Sequence, residues 1–194
     1  MARREGSMDP RAIRTRNAFL DATETLQREK KTEDITVSAI VGLAGMSRQV
    51  FYEHFDGRDA VVGALMERTF RPLLQEYVKT YERTGDPEQA IEGLVAGMYK
   101  ERGLLLNVIG GPALTYTLKL FTTPEQPMLR GVVGAILERQ GELEPSLLEG
   151  VEDFLRAGAF RLLVASVREA NSAEDAAKHA NSVLGLLRAS IVGS

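Results

Sequence analysis

The sequence predicts an all-α fold: an N-terminal three-helix unit built around a helix-turn-helix, joined to a larger helical domain, with nine or ten helices in total. Three observations lead there. No segment alternates apolar and polar residues with turn signals at both ends, so strands are not expected. Helix-start signals recur along the chain, at Asp9 before Pro10, at Thr36 and Ser47, at Asp86 before Pro87, and at Pro145 and Ser172. Among them, residues 36–55 fit two short helices separated by a tight turn at Gly45.

The first helix is expected from Pro10 to about Glu29, with Asp9 as cap and Ile13, Phe19, Leu20, Ala22 and Leu26 inward. In the second, Val37, Ile40, Val41 and Ala44 recur at three- and four-residue spacing behind a Thr36 cap. Gly45 follows where the chain must turn through a left-handed conformation that costs other residues about 1 kcal/mol or more. Ser47 caps a third helix, on which Phe51 and Phe55 share one side. Asp56, with Asp59 three residues on, resembles the start of a fourth helix carrying Val61, Val62, Leu65 and Met66. Pro72 removes a backbone donor and is expected to kink or break that helix near Phe70.

Beyond it, Asp86, Pro87 and Gln89 start a helix reaching about Arg102. Gly103 and the glycine and proline residues at 110–112 bracket a short apolar piece; helices from Ala113 to about Phe121 and from Thr123 to Gly141 follow. Pro145 opens the longest segment, about 26 residues or roughly 39 Å of helix. Ser172 with Asp175 starts the last one, to about Ile191. These elements divide into an arm with the helix-turn-helix over 1–56 and a second domain over 57–194, the join falling within the fourth helix.

With 194 residues, 44% hydrophobic and 26% charged, the chain has the make-up of a globular protein. No apolar run reaches the roughly 18 residues of a membrane span and no signal-peptide core opens the chain, so no membrane association and a cytoplasmic location are expected. The absence of cysteine excludes disulfides, thiolate zinc sites and cysteine nucleophiles. The two histidines, His54 and His179, fall in different predicted domains without a carboxylate set at metal-ligand spacing. Neither a glycine-rich phosphate loop nor a serine nucleophile elbow occurs. No enzymatic activity, cofactor or metal is therefore expected.

Residues 1–70 hold equal numbers of acidic and basic side chains, so the net charge of −3 belongs to the remainder. Arg3, Arg4, Arg11, Arg14 and Arg16 concentrate basic charge in the arm and first helix, where it could meet phosphates or a minor groove. For Arg3 and Arg4 a disordered, merely solubilising tail is the alternative. Opposite Phe51 and Phe55, the third helix carries Gln49, Tyr52 and Glu53, with Arg48 beside Tyr52. In a major groove, Arg can bond guanine and Gln can bond adenine through paired hydrogen bonds, so double-stranded DNA is the expected partner. An ordinary helical hairpin with a solvated polar face would show the same spacing. Glu53 can accept from a cytosine amino group or point to solvent.

The combined pattern resembles the TetR family of transcriptional regulators. The matching runs are Phe19-Leu20-Asp21-Ala22-Thr23, Ile35-Thr36-Val37-Ser38-Ala39-Ile40, Ala44-Gly45-Met46-Ser47-Arg48, Phe51-Tyr52-Glu53-His54-Phe55 and Arg58-Asp59-Ala60-Val61. They cover about the first 65 residues; beyond Met66 the resemblance is architectural only. It implies that Thr36, Tyr52, His54 and Arg58 touch phosphates or groove edges, with Ser47, Arg48 and Gln49 at the head of the recognition helix. For His54, burial against the hairpin is the alternative. Lys31 stands where the family usually has a glycine, Gln27 where it has an aromatic and Val41 where it has a small alanine, which leaves the packing of the first helix open.

A single reading helix touches few base pairs, and a two-fold homodimer on a palindromic operator doubles that contact. The stripes Val151, Phe154, Leu155, Gly158, Ala159, Leu162, Leu163 and Val183, Leu184, Leu187, Ile191 on the last two helices are the expected interface. Filling of the monomer's own core would give the same periodicity. Met98, Tyr99, Ile109, Tyr116, Phe121 and Met128, with polar tips at Asn107, Thr115 and Thr117, would suit a pocket for a small-molecule effector of unknown identity, although core packing explains such residues as well. The expected function is a ligand-responsive regulator, a repressor released from its operator by the effector. The reading from another class is a helical small-molecule carrier or protein-interaction module without operator binding, which Glu53 and the electrically neutral head leave open.

Overall fold

The computed structural model describes residues 9–109, 111, 113–114 and 144–192. Eight α-helices occur among the described residues: α1 (Pro10–Glu29), α2 (Val37–Ala44), α3 (Arg48–His54), α4 (Arg58–Thr84), α5 (Pro87–Lys100), α6 (Arg102–Ile109), α7 (Pro145–Glu169) and α8 (Ala173–Val192). A single 3-10 turn, Thr32–Asp34, separates α1 from α2, and no strand occurs among the described residues. The helices expected from Ala113 to Phe121 and from Thr123 to Gly141 lie, apart from Ala113 and Leu114, outside the described residues.

Local capping explains most of the helix starts. Asp9 accepts from the Arg11 amide at 2.9 Å, Asp86 from the amides of Glu88 and Gln89 at 2.9 and 3.2 Å, and Ser172 from the Asp175 amide at 3.0 Å. At α4 the helix begins at Arg58, with Gly57 supplying the first carbonyl to Val61 at 3.2 Å, in place of the start expected at Asp56. Pro72 does not break α4, which runs 27 residues and exceeds the 25 of α7, the segment expected to be longest. Fully buried Leu65, Met66 and Phe70 on one side of Pro72 and buried Tyr77 on the other hold the helix through it, and the proline ring itself is exposed.

The chain divides into two compact units: residues up to Thr69 with 103–117, and residues 70–102 with those from 118 onward. The division thus falls thirteen residues beyond the expected boundary at 56, because Val61, Val62, Leu65 and Met66 are fully buried and Arg68 pairs with Asp21 and Glu24 of α1 at 2.6 and 2.8 Å. The core of the first unit is aromatic. Phe19 meets the edges of Phe51 and Phe55 at 5.3 and 6.3 Å between centroids, and all three rings are buried. Ile13, expected inward, is 44% exposed; Ala12, seven residues before Phe19 on the same face, is buried instead.

Within this unit α6 is tied to the carboxyl end of α1. Asn107 Nδ2 donates to the Gln27 carbonyl at 2.8 Å, Thr32 Oγ1 donates to the Asn107 carbonyl at 3.3 Å, and Gln27 Nε2 donates to Thr32 Oγ1 at 2.9 Å. Each side chain satisfies a terminal helix carbonyl or orients the group that does. Gln27, which departs from the aromatic of the resembled family, is fully buried at the centre of this network.

In the second unit α8 packs on α5 and α7. Ile91, Leu94, Val95 and Met98 of α5, Phe160, Leu163, Val164 and Val167 of α7, and Ala176, Ala180 and Leu184 of α8 form its core. Gly97 permits a close crossing, since a Cβ there would lie 2.6 Å from Leu73 Cδ2 of α4. Arg102 stacks over the Tyr99 ring at 5.4 Å and donates to the carbonyls of Arg168 and Ala170 at the carboxyl end of α7. Among the described residues no helix is long and apolar enough to cross a membrane.

Candidate nucleic-acid interface

The helix-turn-helix is assembled by backbone chemistry. Thr36 accepts from the Ala39 amide at 3.2 Å, opening α2. At its end Gly45 has φ 66° and ψ 30°, which lets its own amide reach the Gly42 carbonyl and the Met46 amide reach that of Val41 at 3.3 and 3.0 Å. Ser47 then accepts from the Val50 amide at 3.3 Å and starts α3. The interior side of α3 is fixed by Phe51 and Phe55, at 0% and 4% exposure.

The other side of α3 is open. Arg48, Gln49 and Tyr52 are exposed, and the Tyr52 ring stands edge-on to Phe51 at 5.4 Å, so its phenol is carried outward on a braced ring. Thr36 and Ser47 are exposed as well, each with its hydroxyl engaged as a cap. Arg48 Nη2 donates to Ser38 Oγ on α2. Arg58 is half-buried; its Nε pairs with Asp59 at 2.9 Å and its Nη1 donates to the Glu33 carbonyl at 3.2 Å, which fastens the start of α4 to the segment preceding α2. It thus acts as an internal brace whatever it touches outside.

His54 stands elsewhere than expected. It is 2% exposed, with its ring 6.3 Å from Phe19 and 6.4 Å from Phe55, so it is part of the aromatic core and is not placed to touch DNA. The signal was available: His54 follows Phe51 by three residues and shares its inward face. Arg16 likewise packs inward, its guanidinium carbon 4.6 Å above the Phe55 ring. Arg3 and Arg4 lie outside the described residues. Ser38, not singled out from the sequence, is the partner that periodicity alone does not reveal, because its role depends on how α2 meets α3.

Of the expected pocket residues, Met98, Tyr99 and Asn107 are among those described. Met98 is fully buried and Tyr99 half-buried in the second unit, whereas Asn107 belongs to the first and is engaged with Gln27 and Thr32. Tyr116, Phe121 and Met128, with Thr115 and Thr117, lie outside the described residues. An open groove of about 1040 Å³ runs between α5 and α8, lined by Glu88, Glu92, Ala96, Ala177, Lys178, Asn181 and Gly185 among others, and shares none of the expected residues. On α7 and α8 the expected interface splits by exposure. Phe154 and Leu187 are 78% and 45% exposed and Gly158 is exposed; Leu155, Leu162 and Val183 are half-buried; Leu184, with Ala159 and Leu163, is buried in the unit's own core. Leu147 and Leu186 add exposed apolar surface at 58% and 70%.

No family model and no curated protein sequence matches this chain. Solved structures do. A TetR transcriptional regulator from Streptococcus agalactiae superimposes with a TM-score of 0.61 at 19% identity, covering 91% of this chain and 96% of that one. RolR, solved with its ligand resorcinol, gives 0.59 at 19% identity over 94% of each chain. The TetR-family repressor AlkX from a Dietzia strain, implicated in n-alkane biodegradation, gives 0.52 at 17% identity over 94% of this chain and 97% of that one. The fold is that of TetR-family regulators.

Proposed function

We propose that the protein is a DNA-binding transcriptional regulator of the TetR type, a cytoplasmic repressor that holds a palindromic operator as a homodimer and is released by a small-molecule effector. The observation that carries this is the open face of α3: Arg48, Gln49 and Tyr52 project from a short helix whose opposite side is anchored by fully buried Phe51. A guanidinium, a carboxamide and a braced phenol are the groups that bond base edges and phosphates in a major groove. RolR binds resorcinol within the same fold, which supports an effector of small organic type here. The two heads of a dimer would enter major grooves about one helical turn apart. An effector favouring a different head separation would weaken operator binding by its differential affinity for the two states.

Selection of genomic DNA fragments at two salt concentrations tests the reading. A regulator enriches a palindromic sequence, with affinity falling steeply as salt rises. No enrichment at low salt would overturn it in favour of the carrier or interaction module.

A further inference from the structure

We infer that Ser38 of α2 is a positioning residue for Arg48, and that the pair, not Arg48 alone, sets discrimination at the base pair this arginine reads. The inference rests on the regulator reading and deepens it. Arg48 is the first residue of α3, where a cation lies against the positive end of the helix and gains nothing from it. An exposed arginine there would sample many rotamers, and freezing it on DNA would consume part of the binding energy. Its Nη2 instead donates to Ser38 Oγ, ten residues earlier and on the neighbouring helix. Ser38 is the second residue of α2, itself fixed by the Thr36 cap and by fully buried Ile40, so the anchor is as rigid as the helix that carries it.

The chemistry of the pair suits a groove. A hydroxyl accepting from a guanidinium still has its own proton to donate, and the guanidinium keeps further N–H groups for a base edge or phosphate. Ser38 and Arg48 are both exposed, so nothing in the head covers the unused donors. The guanidinium is thereby held in one orientation before DNA arrives, as a preorganised contact requires. A lysine could take one bond to Ser38 but could not present a planar fork beyond it.

The test is a cycle of Ser38→Ala and Arg48→Ala in the full-length protein, read on the selected operator, on operators changed at each half-site position, and on unrelated DNA. Ser38→Ala should weaken binding to the selected operator by about two- to tenfold, the cost of ordering one long side chain. It should flatten preference at one symmetric pair of positions, leave unrelated DNA unaffected, and have no further effect in the Arg48→Ala background. Ser38→Thr should restore the preference, because it keeps the hydroxyl. An equal loss on all DNA, or the same loss with and without Arg48, would overturn the inference and make Ser38 a phosphate contact or a structural residue. Nitrogen relaxation of the Arg48 Nε in the free protein gives a second reading: ordered in the wild type and mobile in Ser38→Ala. If no operator is enriched, the regulator reading fails by itself, and equal mobility in the two proteins would separately overturn the positioning role.

Discussion

Gly45 shows how one backbone angle shapes the reading head. It adopts φ 66°, while Gly42, three residues earlier, lies in regular helix, and a Cβ would meet nothing within 4 Å at either position. With space equal, conformation alone decides the sign of an alanine substitution. Gly45→Ala should cost about 1 kcal/mol or more of stability through the left-handed penalty. Gly42→Ala should add up to about 1 kcal/mol through helix propensity. Urea melts followed by circular dichroism should therefore shift in opposite directions, and shifts of one sign would show that packing, not the backbone, governs the turn. His54 makes the complementary point: the core excludes a residue type associated with the surface only when no apolar face claims it, and here Phe19 and Phe55 do.

At the level of elements, the carboxyl ends of α1 and α6 satisfy each other. Asn107→Ala would remove the donor to the Gln27 carbonyl and loosen a network whose central side chain is fully buried. The expected loss is about 1–3 kcal/mol in chemical denaturation, the penalty for stranding a buried acceptor. A change below about 0.5 kcal/mol would mean that water replaces the side chain without cost. This network also marks the limit of what the sequence discloses. The starts of α1, α2, α3, α5 and α8 are legible because a cap involves residues two or three apart, as at Asp9, Thr36 and Ser47. The inward Phe19, Phe51 and Phe55 are legible because helical period is local too. Asn107 reads as a polar pocket tip because its partner lies eighty residues away, and Ser38 passes unnoticed for the same reason at shorter range. Ile13 misleads for a related cause, as does the break, though not the kink, allowed for at Pro72, since exposure and helix continuity are decided by what packs alongside.

At the level of the whole molecule, the exposed apolar side chains of α7 and α8 ask for a partner. Phe154 at 78% and Leu186 at 70% exposure contribute little to their own unit's core. In the proposed homodimer, Phe154→Glu should remove an aromatic anchor worth about 2 kcal/mol, roughly a thirtyfold weaker association. Sedimentation should then show monomer where the wild type is dimeric, with helical content unchanged; a retained dimer would place the interface elsewhere. The proline within α4 bears on the same scale. Having no N–H, Pro72 leaves the Arg68 carbonyl without its helical amide, one residue before the division of the chain between Thr69 and Phe70. The helix is continuous in path, yet at this turn its ladder of backbone hydrogen bonds lacks a rung. A long rod thus carries a softened joint in its own backbone, made by one missing hydrogen and not by a loop.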